Sequence, residues 1–281
     1  MLVPTEPRAV VVAGHAMMVD RRTLERPGGG LISHLVVRDI AVVWPDLRGH
    51  GQSEPRADQG GRWSYDDLVD RDAPALYRFA RTRWPDLPLV SVGHSLFGHV
   101  ALAHLARYGR GDRGAVPDGL VALGANLWGR RWEPNPVRWV AKRLLLAAME
   151  ETTRLWGYFP ARQLRIASCD ESIDYVDQLV GFARTGWVAK DGFSYADALG
   201  QIAKPVLSLA AAGDRLLCHP ACAQRMAAEI PGAIYETVGR ATGLATDGGH
   251  MAMVIDPGFR PMWDRVADFV LNHCGGSLGT S

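Results

Sequence analysis

The sequence predicts an α/β protein: a mostly parallel open sheet of about six strands flanked by helices, with an inserted helical segment. Three observations predict it. Short, continuous apolar runs recur along the chain, as strands covered on both faces require. Segments with apolar residues at helical spacing separate them, the alternation that builds parallel sheets through crossover helices. One interval, residues 127–203, spans 77 residues and is too long for a single crossover helix.

The elements follow in order. Strands are expected at 9–13, 40–44, 88–93, 120–125, 206–211 and 234–238, each a run of mostly apolar residues. Ser64 and Asp67 form a capping box ahead of Leu68, Ala73, Leu76 and Ala80, which share one helical face. Residues 96–108 are apolar nearly all round, the pattern of a buried helix. Asp256 and Pro257 read as N-cap and N1 of a terminal amphipathic helix carrying Phe259, Met262, Trp263, Val266, Phe269 and Val270. Residues 275–281 read as a frayed tail.

Within 127–203, Asn135 and Pro136 start a helix with Val137, Val140, Leu144, Ala148 and Leu155 on one stripe, ending near Gly157. A second helix is expected from 171 to about 185. Five of the nine tryptophans fall in the interval: Trp128, Trp132, Trp139, Trp156 and Trp187. The domain reading is therefore a sheet core from residues 1–126 and 204–281, with 127–203 as a helical cap.

Composition narrows the class. With 47% apolar and 22% charged residues, a 281-residue chain buries a large core, which excludes a disordered protein. Lys+Arg is 31 against Asp+Glu 30, so the basic excess of a nucleic-acid binder is missing. No apolar run approaches the ~20 residues of a membrane span, and no secretory leader pattern is legible. The cysteines Cys169, Cys218, Cys222 and Cys274 are too sparse for a disulfide scaffold. Cys218, His219 and Cys222 lack a second ligand pair at zinc spacing, so no metal is expected. The expectation is a cytoplasmic protein without membrane span, nucleic-acid partner or cofactor.

The chemistry centres on Ser95. An apolar strand ends in Gly93-His94-Ser95 and a helical segment follows at once, the strand–turn–helix context of a nucleophile elbow. A tight turn there lifts the hydroxyl above the sheet edge. The helix N-terminus then directs its amides at the charge that forms during attack, with Leu96 N–H as one oxyanion donor. The alternative is a serine that merely caps a buried helix. Such an elbow prefers a small residue at 97, where this chain has Phe97, with Gly98 one place later.

A serine needs a base, and the base an orienter. Asp214 follows the 206–211 strand and His250 follows the 234–238 strand, in the chain order Ser, Asp, His. Asp214 as a loop cap and His250 as a helix-start residue are the bland alternatives. Rivals are weaker: residues 125–127 offer no acid, Asp247 is too near His250, and His219 reads as a surface turn residue. His15, His50, His94 and His99 are taken first as packing residues. The loop after the first strand supplies the second oxyanion donor, Ala16 N–H, with Met17 next in line. Met17, His94, Phe97 and Trp128 are candidate pocket residues.

These stretches resemble the α/β-hydrolase superfamily, in its capped serine-hydrolase branch of lysophospholipase and serine-aminopeptidase-like proteins. The resemblance spans about residues 8–274. It rests on Gly93-His94-Ser95, the DLRGHGQS run from Asp46 to Ser53, Gly213-Asp214-Arg215 and Gly249-His250. It implies a Ser–His–Asp acyl hydrolase with no metal or organic cofactor, acting on a small-molecule ester. Three features depart from the pattern: a short or missing leading hairpin, Gly14-His15 in place of His-Gly, and Phe97. The resulting expectation is hydrolysis of an ester with an apolar acyl or alcohol group through an acyl-enzyme on Ser95. An acyltransferase using the same triad and a non-catalytic ligand-binding protein on this fold are the alternatives.

Overall fold

The structure, a computed structural model, describes residues 1–273. Six strands form one sheet: β1 (Ala9–Gly14), β2 (Ile40–Val43), β3 (Leu89–His94), β4 (Gly119–Leu123), β7 (Val206–Ala211) and β8 (Ile234–Val238). Two further short strands, β5 (Tyr158–Phe159) and β6 (Glu171–Ser172), pair antiparallel outside that sheet. The sheet runs in the order β2-β1-β3-β4-β7-β8, and every pairing is parallel. All six strands lie where the apolar runs place them, with ends shifted by a residue or two. The leading hairpin is reduced to one antiparallel bridge, Leu2 to Val42.

Both faces of the sheet are covered, which is why β1, β2, β3, β4 and β7 are buried along their whole length and mostly apolar; the edge strand β8 carries Tyr235, Glu236 and Thr237 and is buried only at Val238. Along β1, Val10 and Val12 join a core with Tyr77, Val100 and Leu120, while Ala9, Val11 and Ala13 join one with Leu35, Trp263 and Val266. The helices Ala73–Arg83 and Leu96–Tyr108 lie on the first face, and Leu31–Val36 and Arg260–His273 on the second. Ser64 caps its helix as expected, its hydroxyl accepting from Asp67 N–H. Asp256 caps a single 3-10 turn, Pro257–Phe259, from which the terminal helix continues. Residues 275–281 and Cys274 lie outside the described residues.

Between β4 and β7 the chain leaves the sheet. Asn135 caps the helix Pro136–Trp156, accepting from Val137 and Arg138 N–H. A second helix, Ile173–Thr185, starts two residues later than the pattern suggests, because Glu171 and Ser172 form β6. The apolar stripe of the first helix faces outward: Val137, Val140, Leu144 and Leu155 are exposed. Its inner face carries Lys142, Leu146, Met149, Glu150 and Thr153 instead. Polar residues are tolerated there because they are paired. Lys142 Nζ donates to Glu133 Oε2 at 2.8 Å, and Arg138 Nε donates to the same carboxylate. Trp132 and Trp187 are buried with Tyr175 and Leu146, in one core with the sheet helices.

Candidate active site

The strand order reverses between β1 and β3, since β2 lies outside β1 and β3 opens the other wing. Open α/β sheets place their sites at such a switch point, beyond the strand C-termini. Here those ends carry the Ala16 loop and Ser95.

Ser95 sits between β3 and its helix with φ 50° and ψ −108°. A positive φ is uncommon for a residue with a Cβ and is a strained conformation. Two glycines permit the turn. A Cβ on Gly93 would lie 2.3 Å from Gly98 N, and one on Gly98 would lie 2.8 Å from Gly93 O. The close approach that a small residue at 97 was expected to serve is thus made at Gly98. The serine N–H donates to Leu123 O at 2.8 Å, which fixes the turn to the end of β4. Leu96 opens the helix, so its N–H has no intrahelical acceptor.

Phe97 is buried, and its ring lies over Gly14 at the end of β1. It belongs to the core, not to a pocket wall. His94, the other pocket candidate on this segment, is also fully buried. Its Nε2–H donates to the His250 carbonyl at 3.1 Å, and its ring lies 4.8 Å from the His250 ring. Burial, with His250 beside it, pushes its pKa down to about 3, so it is neutral. It supports the His250 loop from below. Met17 and Trp128 are partly buried, and Trp128 Nε1–H donates to Leu217 O.

Asp214 and His250 meet as the spacing suggests. His250 Nδ1–H donates to Asp214 Oδ2 at 2.6 Å. The carboxylate also accepts from Cys218 N–H at 2.9 Å and Leu216 N–H at 3.3 Å. Burial alone would raise the Asp214 pKa, but these donors, His250 first, hold it below the usual carboxylate range. The His250 ring lies against the Gly124 turn: a Cβ there would be 3.2 Å from Cε1. The rivals are otherwise engaged. Asp247 accepts from Arg240 N–H, and His219 caps the helix Pro220–Ala227.

The Ala16 loop is held by His15 and His50, which act through hydrogen bonds and not only through packing. Leu47 N–H donates to His15 Nε2 at 3.0 Å, so His15 Nδ1–H donates to Ala16 O at 2.8 Å. Burial lowers His15 to about 3, which keeps that tautomer pair neutral. His50 donates from both ring nitrogens, to Arg48 O at 2.8 Å and Glu171 Oε1 at 3.0 Å. Glu171 Oε1 also accepts from Met18 N–H at 2.7 Å, tying the β6 segment to the same loop. Among the described residues no cluster of three or more His, Cys, Asp or Glu is grouped to hold a metal, and no helix is long and apolar enough to cross a membrane.

The family described as serine aminopeptidase S33 (Hydrolase_4) matches residues 5–238, so the chain belongs to it and to the α/β-hydrolase superfamily. The match includes Ser95 and Asp214 and stops short of His250. Among solved structures, a soluble variant of monoglyceride lipase from Saccharomyces cerevisiae is similar at 13% identity and a TM-score of 0.68, covering 96% of this chain and 88% of that one. A metagenome-derived lipolytic enzyme, one of LipS and LipT, is similar at 16% identity and a TM-score of 0.66, covering 97% of both chains. A thermophilic esterase from Thermogutta terrifontis follows at 20% identity and a TM-score of 0.54, covering 94% of this chain and 88% of that one. At such identities the likeness is one of fold. No curated protein matches the sequence.

Proposed function

We propose that the chain hydrolyses carboxylic esters with an apolar acyl or alcohol group, through an acyl-enzyme on Ser95. The observation that carries the reading is the 2.6 Å His250–Asp214 hydrogen bond at the sheet edge that also holds the strained Ser95 turn. Ser95 Oγ attacks the acyl carbon while His250 Nε2 takes its proton. Asp214 fixes the Nδ1–H tautomer and stabilises the imidazolium. The N–H groups of Leu96 and Ala16 receive the oxyanion. His250 then protonates the leaving alcohol, and water, deprotonated by the same imidazole, releases the acid from Ser95. The lipolytic names of the similar structures favour an ester over the amide that the family description suggests. Residues 127–203 act as the cap over the site, with Met17 and Trp128 at its edge.

A fluorophosphonate probe should label Ser95, located by peptide mapping, and Ser95→Ala should not be labelled. On p-nitrophenyl esters kcat/KM should rise with acyl length, by up to fourfold per carbon if each buried CH₂ contributes ~0.8 kcal/mol. No labelling of the folded protein would overturn the reading. A matched p-nitroanilide cleaved faster than the ester would overturn the ester assignment.

A further inference from the structure

We propose that Asn126 forms a polar subsite beside the nucleophile, which takes a hydroxyl or carbonyl group that the substrate carries close to its scissile ester. The inference rests on the esterase reading of Ser95 and narrows its substrate class.

The position is set by the sheet. Ser95 N–H is bound to Leu123 O, so the residues after β4 run beside the nucleophile turn. Gly124 faces the His250 ring, and Ala125 packs on Gly98, where its Cβ would stand 2.5 Å from a Cβ built on that glycine. Asn126 is the next residue. Its exposure is 7%, and neither Oδ1 nor Nδ2 is hydrogen-bonded to any group among the described residues.

That is a costly way to keep a carboxamide. A buried amide without partners loses its hydrogen bonds to water and regains none, and an apolar side chain of the same size would avoid the loss. Its neighbours Ala125 and Leu127 are buried apolar residues that give it nothing to bind. Contrast Asn135, whose Oδ1 accepts two amide hydrogens at a helix start and so has a structural task. Asn126 has no such task, and it stands at the catalytic end of the sheet. One donor and one acceptor left unclaimed together match a hydroxyl, which accepts and donates at once. Sites built this way discriminate against the analogue that lacks the polar group, because the protein's own atoms are then left unpaired.

The test uses ester pairs that differ only by CH₃ against OH: p-nitrophenyl butyrate with p-nitrophenyl 3-hydroxypropanoate for the acyl side, and propyl butyrate with 2-hydroxyethyl butyrate for the alcohol side. The wild type should favour the hydroxylated member of at least one pair by about tenfold or more in kcat/KM. Asn126→Leu should bring that ratio to about one, whatever the absolute rates, and should leave the melting temperature unchanged or higher. Asn126→Ser serves as the second variant should the leucine not fold, with the same loss of preference expected. Absence of preference in both pairs, or a preference that both variants retain, overturns the subsite. A lower melting temperature with equal losses on both members of each pair makes Asn126 structural and also overturns it. Ser95→Ala separates the two levels: if it still turns over these esters, the reading of Ser95 fails, whatever Asn126 does.

Discussion

The ring of Phe97 occupies the space that a side chain on residue 14 would need: a Cβ built on Gly14 would fall 2.0 Å from Phe97 Cγ. The two departures near the Ala16 loop, a glycine at the end of β1 and a large residue two places after the serine, are therefore one adjustment. Gly14 leaves room, and Phe97 fills it.

The pair should behave as a unit. Phe97→Gly should cost about 3–5 kcal/mol through the cavity it leaves, with helix entropy added. Gly14→Ala should destabilise by forcing the ring aside, and adding it to Phe97→Gly should cost far less than adding it to the wild type. Contacting residues couple by about 0.5–3 kcal/mol, and a denaturant-unfolding double-mutant cycle measures it. Additive effects would show that the ring and the glycine are independent.

For the proposed chemistry, Ser95→Ala should lower kcat on esters by a factor on the order of 10⁶, and Asp214→Asn by roughly 10⁴ through the wrong imidazole tautomer. Steady-state kinetics on folded variants checks both. A Ser95→Ala enzyme retaining more than a few per cent of activity would remove the serine mechanism.

His50 predicts a pH dependence of stability. Burial alone would lower its pKa, but the Glu171 carboxylate, the Arg48 carbonyl and nearby Asp46 raise it above the ordinary value, while His15, 5.1 Å away, is neutral. A histidine raised in the folded state contributes stability that is complete below its unfolded pKa of ~6.5 and is lost as pH climbs through the folded value. Glu171→Gln should therefore cost most at pH 6, about 3 kcal/mol for a buried pair that loses one charge. The gap in melting temperature to wild type should narrow by pH 9; a constant gap would mean that His50 is not charged.

The buried Glu133–Lys142 pair gives an asymmetric expectation. Glu133→Ala strands an ammonium with no exposure and should cost about 3–5 kcal/mol. Lys142→Met should cost less, because Glu133 keeps both contacts from Arg138 Nε. Chemical denaturation of the two variants side by side measures the difference.

What was legible in the sequence was whatever leaves a local pattern. The six strands of the main sheet lie at the mostly apolar runs, and Ser95, Asp214 and His250 stand out by strand–loop context together with the chain order Ser, Asp, His. The orientation of the helix Pro136–Trp156 was not. Its stripe of Val137, Val140 and Leu144 has the right period, but period does not say which side faces the core. The inner side is held by a charge pair that no apolar count detects. His50 and Glu171 escaped for a related reason: they are partners 121 residues apart, and a buried polar pair over that distance leaves no spacing to find. Asn126 leaves no mark of its own either, since the one legible feature of residues 125–127 is that they offer no acid.

The pairing of β4 with β7 joins Leu120 to Val206 across the whole stretch that leaves the sheet. Ser95 and the Ala16 loop lie on one side of that seam in the chain, Asp214 and His250 on the other. During folding, closing so long a loop is entropically late compared with the local βα units on either side. The N-terminal half, once collapsed, would hold a raised serine with no base beside it. On the proposed mechanism, reactivity would then await the pairing of β4 with β7, because that step brings Asp214 and His250 to the Ser95 turn, and a half-folded chain would carry the serine without its base.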